Sequence, residues 1–235
     1  FTIEASSVER FGRQFAGNDR IHVPSIYPRF CAEKVLTMEY VRGIKASETA
    51  SLLEAGCDLR GIAARGADLL MEQFFEHGFF HADPHPGNIY VLPGDVICYV
   101  DFGLMGRISL SERERFADLL MMAVDRDERH AAQVLLKLCS WESEPDLSDL
   151  ERDLGDFLDE HMHRSLGMLD AGRTLQRLHG LCSRHGLSLR PHVYLMLKTL
   201  GTMDEMGRQF DPDFEIAKHV RPFVVRLQRR RLNLT

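Results

Sequence analysis

Residues 79–107 read FFHADPHPGNIYVLPGDVICYVDFGLMGR, and this stretch decides the fold. It is dense in Gly, Pro, His and Asp, unlike the helical sequence on either side. Two short β-type runs, IYVL and VICYV, flank Pro93-Gly94, which is typical of a hairpin. The hairpin separates the loop HADPHPGN from the loop VDFG. We therefore expect the chemistry of the chain to lie in these two loops.

The two loops have the spacing of the catalytic machinery of protein kinases. Kinases use H-R-D-x-x-x-x-N in the catalytic loop and D-F-G at the metal site. His81 precedes Asp83 by two positions, and Asn88 follows Asp83 by five. We predict Asp83 and His81 as the catalytic residues. Asp83 would accept or orient the proton of the nucleophile, and His81 would mainly hold the loop.

The second loop predicts a magnesium site. Mg²⁺ bridges the phosphates of a nucleotide in phosphoryl transfer and prefers carboxylate and amide oxygens. Asp101 would supply the carboxylate and Asn88 the amide oxygen, so ATP and Mg²⁺ are the predicted cofactors. Single aspartates beside Gly or Pro are commonly turn residues. The prediction therefore depends on the ordered set and not on any one residue.

A second interpretation takes His81, Asp83 and His85 as ligands of a zinc or di-metal hydrolase, with Asp101 as a fourth ligand. The alternation His-x-Asp-x-His on an extended segment would let these side chains converge. This interpretation leaves the asparagine of the first loop and the Phe-Gly pair of the second without a role.

An upstream segment has the character of a nucleotide hinge. Lys34–Val41, KVLTMEYV, has the β-branched and aromatic content of a strand and is followed by Arg42-Gly43. In a kinase, the end of such a strand reads adenine through its backbone. Met38 would take the gatekeeper position, and Glu39 and Val41 would offer the backbone contacts.

The quoted motifs resemble those of the UbiB/ADCK family of atypical protein-kinase-like proteins. FFHADPHPGN followed by VDFG, the hinge-like VLTMEYVRGIK and the FDPDF at residues 210–214 are all similar to that family. The resemblance covers nearly the whole chain. It implies an α+β, protein-kinase-like fold, with a partial N-lobe at residues 1–41 and a mostly helical C-lobe at residues 42–235.

The resemblance also implies roles for individual residues. Asp83 is then the catalytic-loop aspartate, Asn88 and Asp101 are Mg²⁺ ligands, and Glu4 lies on an αC-type helix and pairs with an ATP-binding lysine. The implied activity is that of an ATPase or small-molecule kinase that supports ubiquinone biosynthesis. A nucleotide and an isoprenoid lipid or quinone precursor are the implied partners, at the cytoplasmic face of a membrane.

The spacing after D-F-G argues against a protein substrate. Protein kinases place an A-P-E element and a phosphosite well beyond D-F-G. Here Ser111, a candidate helix N-cap, follows Asp101 by only ten positions, and no A-P-E is present. There is little room for a segment that docks a peptide.

Composition narrows the class of protein. Of the 235 residues, 29 are Lys or Arg and 35 are Asp or Glu. The net charge of −6 means that the chain lacks an overall basic character typical of nucleic-acid-binding proteins. The five cysteines are scattered, without a C-x-x-C pair, and are expected to be buried thiols. The arginines at positions 226, 229, 230 and 231 are expected to form a solvated helix end.

The ends of the chain suggest a fragment. There is no initiator Met, no signal peptide, and no apolar run of about 18 residues that would span a bilayer. The glycine-rich loop and the lysine that should pair with Glu4 are missing. We expect a soluble piece of a longer membrane-associated protein that, alone, binds nucleotide weakly. A nucleotide-binding pseudokinase remains an alternative.

The rest of the sequence is mostly helical in period. Residues 4–16 and 47–76 place apolar residues at helical spacing, and glycines at 17, 56 and 78 are expected to end the helices. Residues 111–228 are helical again, and a short strand is expected around Ile21–Tyr27. Three further helix starts are predicted from their capping residues: Ser111 with Glu114, Ser148 with Glu151, and Asp211-Pro212.

Overall fold

The computed structural model describes residues 1–125, 127–162 and 171–232. The protein has an α+β fold in which helices predominate. Its α-helices are α1 (Thr2–Gln14), α2 (Thr49–Glu54), α3 (Leu59–Met71), α4 (Leu110–Asp125), α5 (Glu128–Leu138), α6 (Leu147–Met162), α7 (Ala171–Arg184), α8 (Pro191–Phe210) and α9 (Ile216–Leu232). Its strands are β1 (Ile21–His22), β2 (Ile44–Lys45), β3 (Phe79–His81), β4 (Ile89–Leu92), β5 (Val96–Tyr99), β6 (Met105–Arg107), β7 (Cys139–Trp141) and β8 (Leu187–Leu189).

In the described residues, the strands form one four-stranded sheet and two short ribbons. In the sheet, the order is β1-β5-β4-β2, with β1 parallel to β5 and the other pairs antiparallel. Strands β4 and β5 form the predicted hairpin, in which Ile89 pairs with Tyr99. Strand β3 pairs with β6, and β7 pairs with β8. The hairpin and the β3–β6 ribbon carry the two motif loops between them.

Helix α1 confirms the first predicted helix, although it begins and ends two residues earlier. Val8, Phe11 and Phe15 are buried. The ring of Phe11 contacts those of Tyr99 and Phe102, at centroid distances of 5.8 and 5.3 Å. The apolar face of α1 therefore packs against the end of the hairpin and the D-F-G loop.

The long helix predicted before Gly78 is α3 followed by a π-helical turn, Glu72–His77. Gly78 ends it with φ of 64°, a left-handed conformation that glycine adopts without steric cost. Arg113 of α4 donates to the carbonyls of Glu76 and His77, at 2.9 and 3.2 Å. These bonds satisfy carbonyl groups that the end of a helix leaves without partners.

Helices α3 and α8 pack closely at the centre of the molecule. A Cβ atom on Gly66 would lie 3.3 Å from the sulfur of Met203, so glycine permits this approach. Buried residues of the described helices and of the sheet belong to one continuous core, from Val8 in α1 to Leu227 in α9. The division into lobes at residues 41 and 42 stays a prediction.

The predicted strand Lys34–Val41 is wrong. The chain turns tightly between Ala32 and Val35, whose backbone groups bond to each other at 2.8 and 3.1 Å. The remainder runs back along residues 25–27 through single contacts, such as the bridge between Ile26 and Met38. The β-branched residues of the segment therefore form a narrow loop in place of a ladder strand.

Both predicted capping boxes are displaced. Helix α4 starts at Leu110, and Ser109 and Glu112 form the reciprocal cap: the Glu112 carboxylate accepts from the Ser109 amide at 2.7 Å. Helix α6 is capped by Asp146, which accepts from the amides of residues 148 and 149. Ser111 and Ser148 thus lie inside the first turns of these helices.

The predicted helix start at Asp211-Pro212 is also wrong. Asp211 follows the end of α8, and its carbonyl accepts from the amide of Phe214 at 2.9 Å, which makes a turn before α9. Within the described residues, no helix is long and apolar enough to cross a membrane. In the basic cluster, Arg226 lies over the ring of Phe223 and Arg229 is exposed; the side chains of residues 230 and 231 lie outside the described ones.

Candidate functional site

His81 ends β3 and joins the two motif loops. Its ring Nε2 contacts the carbonyl oxygen of Asp101, and its Nδ1 accepts from the amide of Asp83 at 3.3 Å. Its own amide donates to the side-chain oxygen of Gln73 at 2.9 Å. Because Nδ1 is an acceptor and Nε2 faces a carbonyl, the ring is a neutral imidazole with the proton on Nε2.

The surroundings of His81 favour the same state. Only 1% of the residue is exposed, and burial lowers the pKa of the imidazole below its ordinary value. The ring stacks on Tyr99 at 4.9 Å and meets the edge of Phe102 at 5.7 Å. Burial raises the pKa of Tyr99 to about 12, so this neighbour is uncharged as well.

Asp83 lies in the catalytic-type loop directly after the buried Ala82. Its carbonyl accepts from the amide of His85 at 2.7 Å, which starts a tight turn toward the 3₁₀ turn Pro86–Asn88. Its carboxylate is 42% exposed and lies 3.3 Å from the Nζ of Lys198. A half-exposed carboxylate on a rigid loop can meet a substrate hydroxyl, as a base or orienting group must.

Asn88 and Asp101 lie at the open end of the β4–β5 hairpin. The carbonyl of Asn88 accepts from the amide of Val100 at 3.1 Å, so the residue before β4 faces the residue before Asp101. The Asp101 side chain is exposed, and its Oδ1 accepts from the amide of Gly103 at 2.9 Å. Asn88 and Asp101 thus flank the same end of the hairpin, and their amide and carboxylate groups are of the hard-oxygen type that Mg²⁺ prefers.

Glu4 of α1 reaches the D-F-G loop. Its Oε1 accepts from the amide of Phe102 at 3.4 Å, a long contact. The Phe102 ring is 1% exposed and packs between Phe11 and His81. The predicted αC-type glutamate is therefore close to the predicted metal loop, and the helix that carries it is fixed by packing of that loop.

The geometry contradicts the hydrolase interpretation. Both ring nitrogens of His81 face backbone groups, and the Nδ1 of His85 accepts from the amide of Gly87 at 3.1 Å. His81 thus has no free nitrogen for a metal. Among the described residues, no three His, Cys, Asp or Glu side chains converge as metal ligands.

The hinge residues lie on the narrow loop. The Glu39 amide donates to the carbonyl of Ser25 at 2.8 Å, and its carboxylate accepts from the Ser25 amide at 3.1 Å and contacts His22 at 3.0 Å. The Ser25 amide, and to a lesser degree His22, hold the pKa of the Glu39 carboxyl below its ordinary value. Within the described part of the chain, the Glu39 carbonyl and the Val41 amide make no backbone hydrogen bond.

Two family models match this chain. Residues 1–135 match the ABC1 atypical kinase-like domain, and residues 154–215 match the UbiB helical domain. The chain belongs to the ABC1/UbiB family of atypical kinase-like proteins. The motif loops, α1 and the sheet all lie within the first match, and most of α6 and all of α7 and α8 lie within the second.

Curated relatives agree with this assignment. The probable protein kinase UbiB of Azotobacter vinelandii is 30% identical over 98% of this chain, which covers 44% of that protein. The Pseudomonas fluorescens (strain SBW25) protein of the same name is 29% identical over the same shares. An uncharacterized protein of Synechocystis is 30% identical to this chain. The match covers 95% of this chain and 38% of the Synechocystis protein. The chain thus spans less than half the length of these relatives.

A solved structure shares the fold. Rv3197 of Mycobacterium tuberculosis, solved in complex with erythromycin, superposes with a TM-score of 0.60. The match covers 89% of this chain and 54% of that one, at 17% sequence identity. The kinase-like α+β fold expected from the motifs is therefore confirmed.

Three residues of the site were not predicted. Gln73 is fully buried and supports His81; it follows the polar Glu72 directly, so its polarity did not distinguish it in the sequence. Lys198 and Thr199 reach the catalytic-type loop from α8, far along the chain. No local pattern marks them, because their partners precede them by more than a hundred positions.

Proposed function

We propose that this chain carries the catalytic loop and metal loop of an ATP- and Mg²⁺-dependent UbiB-type phosphotransferase or ATPase. In this proposal, Asp83 accepts or orients the proton of the nucleophile, while Asn88 and Asp101 hold Mg²⁺. A Mg²⁺ ion held by these two residues would supply positive charge against the charge that develops on the phosphates. Met38, Glu39 and Val41 would contact the adenine, and Glu4 would pair with an ATP-binding lysine.

The observation that carries the proposal is the pair of contacts that His81 makes with the two motif loops. One buried, neutral ring contacts the amide of Asp83 and the carbonyl of Asp101. The two motif loops are thereby held in a fixed relation, which phosphoryl transfer needs because its catalysis depends mostly on positioning and electrostatics. In this role, His81 acts as a positioning residue, and it exchanges no proton.

A small molecule or lipid suits the site better than a protein as phosphoryl acceptor. After Asp101 the chain enters β6, and α4 starts at Leu110. No extended segment that could dock a peptide intervenes. The family resemblance supports a role in ubiquinone (isoprenoid quinone) biosynthesis for the parent protein, at the cytoplasmic face of a membrane.

A groove lined in part by Lys198, the ion-pair partner of Asp83, supports an acceptor with apolar surface. It is formed by residues of α7, α8 and β8 and has a volume of about 770 Å³. Leu175, Leu189 and Leu195 contribute its apolar walls, and Tyr194 offers a hydroxyl. Sites for small molecules are commonly apolar clefts with a few polar groups that fix orientation.

The decisive test is Asp101→Asn in the full-length product of the gene that encodes this chain. We expect Mg²⁺-dependent ATP affinity to fall by about 100-fold or more, since removing even a residue behind a metal ligand costs about 10–100-fold. Isothermal titration calorimetry with and without Mg²⁺ measures this change. Asp213→Asn is the matched control, because that carboxylate is 90% exposed and lies in the turn before α9.

Two outcomes would change the proposal. Unchanged Mg²⁺-dependent binding in Asp101→Asn would remove the metal assignment. Binding of MgATP without hydrolysis or transfer in the wild-type protein would favour the pseudokinase alternative, in which the nucleotide is a conformational ligand.

A further inference from the structure

Helix α8 places two neighbouring polar side chains on the catalytic-type loop. The Nζ of Lys198 lies 3.3 Å from the Oδ1 of Asp83. The hydroxyl of Thr199 donates to the carbonyl of Ala82 at 3.2 Å, within the protein interior. Both contacts join the segment matched by the UbiB helical domain to the loop that holds Asp83.

The position of Lys198 is set by the packing of its helix. Thr199 is fully buried, and Met196 and Met203 of the same helix are fully buried in the core. The Thr199 hydroxyl holds the backbone of Ala82, which is itself fully buried. Lys198 therefore extends from a fixed helix toward Asp83.

The catalytic-type loop contains no basic partner for Asp83. Residues 83–88 include neither Lys nor Arg, and both ring nitrogens of the buried His81 face backbone groups. Lys198 is the basic side chain that pairs with Asp83 in the described part of the structure. The loop thus depends on α8 for a cation.

We infer that Lys198 is a positioning residue of the phosphoryl-transfer site, whose ammonium group holds the Asp83 carboxylate toward the acceptor. The inference rests on the function proposed above, since it assigns Lys198 a role in that reaction. It makes the helical region part of the catalytic apparatus. Movement of α8 would then alter the orientation of Asp83.

The ion pair contributes little to folding. Lys198 and Asp83 are 40% and 42% exposed, and exposed pairs add little to stability because water screens them. Loss of the ammonium group should thus affect turnover and leave the fold intact. This separates a positioning role from a structural one.

The experiment measures steady-state turnover of MgATP by the full-length protein and its Lys198→Met and Lys198→Arg variants. We expect Lys198→Met to lower kcat by about 10- to 100-fold, the scale at which misplacement of a reacting group affects rate. The KM for MgATP should change by less than about threefold, because the nucleotide ligands are intact. Lys198→Arg should recover part of the lost kcat, since arginine keeps the positive charge.

The matched control is Lys218→Met. Lys218 also forms an ion pair, with Glu215 at 2.8 Å, but it lies on α9 and its side chain is 69% exposed. This variant should keep the wild-type kcat. Thermal unfolding followed by circular dichroism shows whether each variant is folded.

Several results would overturn the inference. One is a wild-type kcat in Lys198→Met. Another is a fall of kcat in Lys198→Met that accompanies unfolding and is not recovered by Lys198→Arg. A third is the absence of MgATP turnover in the wild-type protein. Asp101→Asn separates the two proposals. If that variant keeps Mg²⁺-dependent binding, the proposed function fails; if it loses binding while Lys198→Met retains kcat, only this inference fails.

Discussion

At the scale of single residues, His81 should make the stability of the protein depend on pH. Burial lowers its pKa in the folded state, whereas in the unfolded chain the imidazole has a pKa of about 6.5. The unfolded state therefore binds more protons in acid, and the free energy of unfolding falls as the pH drops below that value. His77, whose pKa is also lowered chiefly by burial, acts in the same direction.

We therefore predict that His81→Gln reduces this pH dependence. Between pH 7 and pH 5, the loss in free energy of unfolding should be smaller in the variant than in the wild type. Urea denaturation at each pH measures the two slopes. Parallel slopes would mean that His81 is not held neutral in the folded protein.

Gly106 is a second residue whose environment leads to a prediction. It pairs with Phe80 across the β3–β6 ribbon, and a Cβ atom at this position would overlap the fully buried Phe80 ring. Gly106→Ala should lower the free energy of unfolding by about 1–3 kcal/mol, the usual cost of overpacking. Chemical denaturation provides the measurement.

Gly180→Ala is the control for that substitution. Gly180 lies inside α7, and a Cβ atom there would meet no neighbour within 4 Å. Alanine is favoured over glycine in a helix by roughly 0.5–1 kcal/mol, so this variant should be slightly stabilised. An equal effect of both substitutions would show that the Phe80 ring does not confine position 106.

The residues of the candidate site that belong to a local motif could be proposed from the sequence. His81, Asp83, Asn88 and Asp101 lie within one stretch of chain, and their catalytic and metal-binding roles stay a prediction. The residues that support them were not found in this way. Gln73 and Lys198 lie in helical segments, and the sequence pattern of these segments predicts only the helix. The residues that Gln73 and Lys198 contact come close to them only in the folded structure.

At the scale of elements, α8 is attached to the catalytic-type loop by one buried hydrogen bond. Thr199→Val would leave the carbonyl of the fully buried Ala82 without its donor. Such a loss costs about 1–3 kcal/mol, so thermal unfolding should occur at a lower temperature. The kcat for MgATP should fall as well, because Lys198 would be less firmly placed.

Thr202→Val is the matched control for this variant. It makes the same substitution on the same helix, but the Thr202 hydroxyl donates to the carbonyl of Lys198 one turn earlier, at 3.1 Å. Its effect on stability should stay within about 0.5 kcal/mol. If Thr199→Val and Thr202→Val lower the free energy of unfolding equally, the hydrogen bond to Ala82 does not contribute more than the one within the helix.

Elements with a strong local signal were predicted well. The hairpin follows from two β-type runs around Pro93-Gly94, and the helix end at Gly78 follows from its glycine. The strand predicted at Lys34–Val41 was wrong because β-propensity describes how well side chains pack on a sheet and does not fix the path of the backbone. Here the tight turn after Ala32 directs the segment away from the sheet. The helix starts were displaced because several nearby residues could serve as the cap.

At the scale of the whole molecule, the described elements share one core, although two family models divide the chain. The kinase-like class was predictable because the order of its motifs is encoded along the sequence. The sheet order was not, since β1 pairs with a strand that lies far along the chain. Such pairing depends on the packing of α1 against the hairpin, and a local sequence pattern does not predict a contact of this kind.

The parallel pairing of β1 with β5 implies an order of events during folding. Strands β4 and β5 are joined by a short turn. Ile21 of β1 pairs with Ile97 of β5 only after the long segment between them has folded back on itself. Contacts between residues far apart in sequence form slowly, because loop closure must first overcome its entropy cost. We expect the hairpin to form early and β1 to join it late. Glu4 would then reach the amide of Phe102 only near the end of folding, which delays assembly of the site until the sheet is complete.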